Sequence, residues 1–248
     1  MLVLKKIIIM TLVAITLINC ASVKRLQNTP IGLINNVAYT DSSFDNPNAS
    51  NGFLVQYKNN TYAVTAKHIL MIAKTDHMKF VDFEGNLKEW RMYPKNDSTR
   101  YVIADKLLST NKKDSLTWNY MDTNWDTYND WLVFSVKENK TSHKPLKFRK
   151  KPIKKGEYVY AIGWSYKDSI GTQRVYQYTF DTTEGDYHNL IQIKGPKSLG
   201  GLSGAPIVDK KGRIIGLVSS GGEDEKTKEV FLQATNIKNA FKFISNLD

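Results

Sequence analysis

Three polar side chains stand where chemistry could be done: His68, Asp130 and Ser203. His68 follows the run Tyr62-Ala63-Val64-Thr65-Ala66-Lys67, which pairs with Gly52–Lys58 as a hairpin, so a rigid sheet can fix the imidazole. Alone, such a histidine is an ordinary structural or surface residue. Asp130 opens the apolar run Trp131-Leu132-Val133-Phe134 and, alone, marks only where a strand leaves water. Ser203 sits in Gly200-Gly201-Leu202-Ser203-Gly204-Ala205-Pro206-Ile207, a glycine-rich turn before an apolar strand. Glycine admits unusual φ and close backbone approach, so N–H groups there can point into a pocket. A plain tight turn would use the same residues. Together, a hydroxyl, an imidazole and a carboxylate are the parts of an activated nucleophile.

Rival chemistries fit less well. An α/β-hydrolase elbow needs Gly-x-Ser-x-Gly with its acid and histidine following, but Ala205 breaks the pattern and no histidine comes after His188. His68, His77, His143 and His188 contain no HExxH pair, so a zinc peptidase is not indicated. The last three histidines read as surface or structural. A single cysteine in 248 residues excludes an intrachain disulfide framework and any CxxC metal or redox site. With 41% hydrophobic and 11% aromatic residues the chain has the material for a core. A formal charge of +11 keeps nucleic acid, anionic lipid and other polyanions in view as partners.

The elements that must position these groups are short strands. Gly52–Lys58, Tyr62–Thr65, Lys79–Phe83, Tyr101–Ala104 and Trp131–Val136 form one set, rich in β-branched and aromatic residues. Tyr158–Gly163, Arg174–Phe180, Leu190–Ile193, Ala205–Val208, Arg213–Ser219 and Val230–Ala234 form a second. Turn signals such as Lys58-Asn59-Asn60 and Asp209-Lys210-Lys211-Gly212 separate them. Only the tail has a helical period, with Ile237, Ala240, Phe241 and Ile244 on one face and Thr235 or Asn236 as N-cap. These patterns imply an all-β sandwich or barrel architecture with a terminal helix. Between the two sets, Lys144–Lys155 carries seven basic residues in twelve and no acid. It reads first as a solvated linker and second as a polyanion patch, because only Phe148 interleaves with the charges.

The amino-terminal segment stands apart. Lys5 and Lys6 precede a largely apolar run, Ile7–Ile18, too short to span a bilayer as a helix. That is the pattern of an export signal over residues 1–19. Leu17-Ile18-Asn19-Cys20 resembles a bacterial lipoprotein signal, in which the cysteine is lipidated and becomes the first residue. Asn19 departs from the small residue usual there. The resemblance implies a lipid anchor on Cys20, a tether over residues 20–31, a location in the bacterial cell envelope, and a net charge of +9 after removal of two lysines.

Taken together, Val64-Thr65-Ala66-Lys67-His68, Asp130-Trp131-Leu132-Val133 and Gly201-Leu202-Ser203-Gly204-Ala205-Pro206 resemble the chymotrypsin-like (trypsin-like) serine proteases, with His, Asp and Ser in the same chain order. Tyr160-Ala161-Ile162-Gly163-Trp164 and Gly216-Leu217-Val218-Ser219-Ser220-Gly221 add to the likeness. It implies two six-stranded antiparallel β-barrels, residues 32–143 and 156–248, joined by a linker over 144–155, with the site in the cleft between them. By the same resemblance Ser203 is the nucleophile, His68 the base and Asp130 its orienting acid, with Asp122 and Asp126 poorer candidates. The N–H groups of Gly201 and Ser203 form the oxyanion hole, no metal or cofactor is needed, and the partner is a polypeptide substrate rather than a specific nucleic acid.

Ser219, Ser220 and Gly221 are implied to line the first specificity pocket. Lys197, six residues before Ser203, falls near its floor and would favour an acidic substrate side chain. Leu202 replaces the acid that receives a new amino terminus in members matured by cleavage, which points to a preformed or substrate-ordered site. Ala205 replaces a usual second glycine. The competing expectation is a catalytically inactive protein of this fold that binds anionic partners at the cell surface.

Overall fold

The computed structural model describes residues 21–73, 83, 85–109, 130–168 and 173–247, with residues 71–73 described in backbone only. Cys20, His77, Asp122 and Asp126 lie outside these residues, as does the strand expected over Lys79–Phe83 apart from Phe83. The described strands close into two six-stranded antiparallel barrels. The first comprises β1 (Leu33–Tyr39), β2 (Asn51–Tyr57), β3 (Asn60–Thr65), β4 (Leu87–Tyr93), β5 (Val102–Leu107) and β6 (Leu132–Asn139), in spatial order β1-β2-β3-β6-β5-β4. The second comprises β7 (Tyr158–Gly163), β8 (Arg174–Glu184), β9 (Tyr187–Lys194), β10 (Pro206–Asp209), β11 (Ile214–Glu223) and β12 (Val230–Asn236), in order β10-β11-β12-β9-β8-β7.

Two of these strands, β1 and β4, are not among the runs the sequence marks out. In β1 the pair Asn35-Asn36 interrupts the apolar pattern, yet Asn35 is fully buried. Its Nδ2 donates to the carbonyls of Ala49 and Asn51, and its Oδ1 accepts from Trp90 Nε1 at 3.1 Å, so the buried amide is satisfied. In β4 a register shift opposite Ala38 and Tyr39 passes over Lys88, which breaks the period of two that would reveal the strand.

The barrels are not independent. Leu33, Phe53, Val64, Trp90 and Phe134 from the first share one core cluster with Tyr160, Ile162, Val208 and Leu217 from the second. Trp90 and Phe134 pack ring on ring at 4.7 Å between centroids, and each such ring buried contributes roughly 1.5–3 kcal/mol. The carboxy-terminal helix, Lys238–Ser245, closes the same cluster with Ala240 and Ile244. Its start is fixed by Asn236 Oδ1, which accepts from Lys238 N.

The basic linker is itself ordered by pairing. Leu146 bridges in parallel to Val55 of β2, and Phe148 to Ile214 of β11, so the segment joins both barrels by main-chain bonds. The six lysines of the segment are exposed, as in a solvated linker, whereas Arg149 is buried at its guanidinium and pairs with Glu157 and Asp209. The segment expected to be a tether is also folded where described. Residues 21–28 form a helix, α1, and Leu26 is 2% exposed. Gln173 clamps the end of this helix and the residues after it. Its Oε1 accepts from the N–H groups of Ile31 and Gly32, and its Nε2 donates to the carbonyls of Leu26 and Thr29.

Candidate active site

Antiparallel geometry brings His68, Asp130 and Ser203 to one place. β3 pairs with β6 in the register Thr65↔Leu132, so the residues just past the end of one strand and just before the start of the other are neighbours. His68 begins the short helix α2 (His68–Ala73) three positions past the end of β3, and Asp130 lies two positions before the start of β6. The carboxylate grips the histidine twice: Oδ1 accepts from His68 N at 2.8 Å, and Oδ2 lies 2.8 Å from Nδ1. On the other face of the ring, Nε2 is 2.7 Å from Ser203 Oγ, in the loop that leads to β10 of the second barrel. His68 and Asp130 are 8% and 4% exposed, so water competes little for these bonds.

The protonation pattern is set by the partners. Burial alone would raise the Asp130 pKa, but the His68 charge and the hydrogen bonds from His68 and Ser219 outweigh it, so the carboxyl is held below its ordinary value. An ionised carboxylate only accepts, so the Nδ1 facing it carries the proton. Nε2 is then the acceptor for the Ser203 hydroxyl. This arrangement can take a proton from Oγ as the hydroxyl attacks an electrophile.

Ser219 is placed differently from the pocket wall expected of it. A register shift between Val218 and Ser220 in β11 leaves Ser219 without a strand partner and turns its side chain inward. Its Oγ donates to Asp130 Oδ2 at 2.5 Å, making it a support for the carboxylate. Ser220 Oγ donates to Gln233 Oε1, Gly221 is exposed, and Lys197 is exposed.

The loop before Ser203 is a tight turn. Leu202 N donates to Leu199 O at 3.0 Å, and Gly201 has φ +85°, the signature of a type II turn with glycine third. Its central carbonyl, Gly200 O, accepts from Tyr166 N at 2.9 Å. C=O and N–H of a trans peptide point in opposite directions, so this bond turns the Gly201 N–H away from Tyr166. Among the described residues, neither the Gly201 nor the Ser203 N–H meets an acceptor.

Two supporting residues carry no signal in the sequence: Tyr166, which acts here through its main chain, and Asn51. Asn51, at the start of β2 in the first barrel, donates its N–H to Ser203 O at 2.9 Å and its Nδ2 to Gly201 O at 2.7 Å and Trp164 O at 2.9 Å. Trp164 N returns a bond to Asn51 Oδ1. A Cβ on Gly163 would lie 2.4 Å from Asn51 Oδ1, so the glycine there makes room for this amide.

The remaining described histidines are structural. His143 Nε2 bonds Gly32 O, and His188 Nδ1 bonds Thr183 Oγ1. Away from the site, the linker contributes to a cleft of about 780 Å³ in which Tyr57, Phe148 and Phe241 stand among Lys58, Lys147, Lys150 and Lys238. The fold thus supplies aromatic neighbours that the linker sequence lacks on its own.

Comparison with known proteins agrees with the fold. Neuropsin, a serine protease expressed in the limbic system of mouse brain, is 15% identical with a TM-score of 0.60, covering 89% of this chain and 95% of its own. The active form of the Rv3671c protease from M. tuberculosis is 14% identical with a TM-score of 0.56, covering 92% and 85%. The serine endoprotease from Yersinia pestis is 18% identical with a TM-score of 0.55, covering 91% of this chain and 65% of that one. At these identities the likeness is one of fold. The sequence matches no curated protein. It does match the trypsin-like peptidase domain over residues 50–217, more than half of the chain and the span that contains His68, Asp130 and Ser203. A double barrel with that match along it belongs to the trypsin-like peptidase family.

Proposed function

We propose that this protein is a serine endopeptidase that cleaves polypeptides through an acyl-enzyme intermediate. The observation that carries the reading is the unbroken hydrogen-bond chain Asp130–His68–Ser203 across the two barrels. Ser203 Oγ attacks the peptide carbonyl while His68 Nε2 takes its proton and then delivers it to the leaving amine. Water, activated by the same imidazole, releases the acyl group. Asp130 keeps the Nδ1–H tautomer and stabilises the imidazolium as it forms. The N–H groups of Gly201 and Ser203 bind the oxyanion, a role in which one donor is worth about 2.7–4 kcal/mol.

The test is covalent labelling with a fluorophosphonate probe. Wild-type protein should label and Ser203→Ala should not; equal labelling of the two would end the reading. The competing function is that of an inactive binder for anionic partners, and the basic, aromatic cleft beside the linker is what favours it. It predicts salt-sensitive binding to polyanions without probe reaction.

We also propose export and lipid attachment at Cys20, supported by the basic start, the apolar run and the position of the cysteine after it. Full-length protein in a bacterial host should partition into detergent, and Cys20→Ala should move it to the aqueous phase. Unchanged partitioning would exclude the anchor.

A further inference from the structure

A peptide cleaved by Ser203 must lie with its scissile carbonyl against Oγ and the oxygen toward the Gly201 N–H. β10 pairs with β11 only as far as Pro206↔Leu217. From Ser220 to Glu223, β11 pairs with β12 alone among the described residues, so its other edge is open to an added strand. An extended substrate on that edge sends the side chain next to the scissile carbonyl into the gap between residues 220–221 and the chain 198–201 that leads to Ser203.

That gap is already occupied. A Cβ built on Gly221 would lie 2.6 Å from Leu199 Cδ1, so the leucine methyl rests directly on the bare face of Gly221. The leucine is held there. Its carbonyl closes the turn to Leu202 N, and its side chain packs, partly buried, against the second barrel's own core cluster. Lys197, by contrast, is exposed.

Resting on the peptidase reading, we propose that Leu199, seated on Gly221, closes the specificity slot, so that this peptidase cleaves after glycine, alanine or serine and excludes large or charged residues. Leu199 is thereby the specificity-determining residue, in place of a charge on Lys197. The preference comes from volume, which a hydrophobic wall enforces by overlap with any longer side chain.

The experiment is a fluorogenic peptide series varied only at the residue before the cleaved bond, run beside fluorophosphonate labelling. Wild type should cleave after alanine at least ten-fold faster in kcat/KM than after phenylalanine, lysine or glutamate. Leu199→Ala, in protein that still labels with the probe, should raise kcat/KM for valine, leucine or phenylalanine ten-fold or more. Leu199→Phe should act in the opposite direction, sparing glycine and losing alanine, which guards against misfolding of either variant as the explanation. Normal labelling with efficient cleavage after glutamate or phenylalanine by wild type would overturn the proposal alone. So would an unchanged profile in a labelling-competent Leu199→Ala. Absence of labelling in wild type would instead remove the peptidase reading beneath it.

Discussion

Asn51 reaches from the first barrel to hold Gly201 in the second, its Nδ2 donating to the Gly201 carbonyl at 2.7 Å. The turn that carries Ser203 is therefore fixed from the opposite side of the cleft, and the relative placement of Ser203 and His68 depends on a buried amide. Replacing it with Asn51→Ala strands the carbonyls of Gly201 and Trp164 without a donor and the Trp164 N–H without an acceptor. Each orphaned buried group costs about 1–3 kcal/mol, so urea unfolding should show a loss of roughly 2–5 kcal/mol. The probe-labelling rate of the remaining folded protein should also fall. A variant with unaltered stability and labelling would show that the amide positions nothing.

The Tyr166 main chain should matter more than its ring. Tyr166→Pro removes the N–H that holds Gly200 O, freeing the peptide to turn over and withdraw the Gly201 N–H. The expected loss is about 10²–10³ in kcat, the size seen when one oxyanion donor is removed. Tyr166→Ala keeps the N–H and should keep kcat within a few-fold. If both variants lose activity alike, the ring is what counts.

Asp130 and Ser219 should differ sharply in effect. Asp130→Asn can stabilise the wrong histidine tautomer, and kcat should drop by about 10⁴ with the fold intact. Ser219→Ala removes one of several donors to the carboxylate, and hydrogen bonds to charged groups contribute about 1.5–3 kcal/mol. A drop of about ten-fold or more in kcat with little change in KM is expected. A Ser219→Ala effect confined to KM would return that residue to the substrate pocket.

Stability should depend on His188 in mildly acidic solution. Burial, aided by the Lys238 charge, holds its pKa at about 4 against an ordinary 6.5. Between those values the unfolded chain binds a proton that the folded protein does not, so stability falls as pH falls through this window and levels off below it. The full effect is about 3 kcal/mol or slightly more. His188→Gln keeps a neutral polar group beside Thr183 and should flatten the difference between urea midpoints at pH 7 and pH 4. Parallel pH curves for the two proteins would rule out His188 as the source.

What could be read from the residues alone obeys a physical division. Most strands were legible because they are rich in β-branched and aromatic residues, whereas their closure into two barrels, and the joint reading of His68, Asp130 and Ser203, came from the resemblance of the motifs to a known family. β1 and β4 were hidden by a buried asparagine and a register shift, features whose meaning exists only once the partner strand is present. Asn51 acts on a loop 150 positions away, and Tyr166 on the same loop from the far side of two strands, and no local pattern encodes either bond. Ser219 lay in the right segment, but the bulge that turns it toward Asp130 has no sequence period of its own.

The clamp that Gln173 places on residues 26–32 bears on what the proposed anchor and peptidase activity would mean together. A peptidase hung on a slack leash sweeps a hemisphere and samples every orientation. Here the chain is gripped from α1 onward, with Leu26 sunk against the second barrel near Gly212. The lipid anchor proposed at Cys20 would join the chain one residue before α1, and would there act as a post that sets one height and one facing for the cleft. Under that proposal, substrates would be chosen by the height at which they present a strand, as well as by which residue they offer.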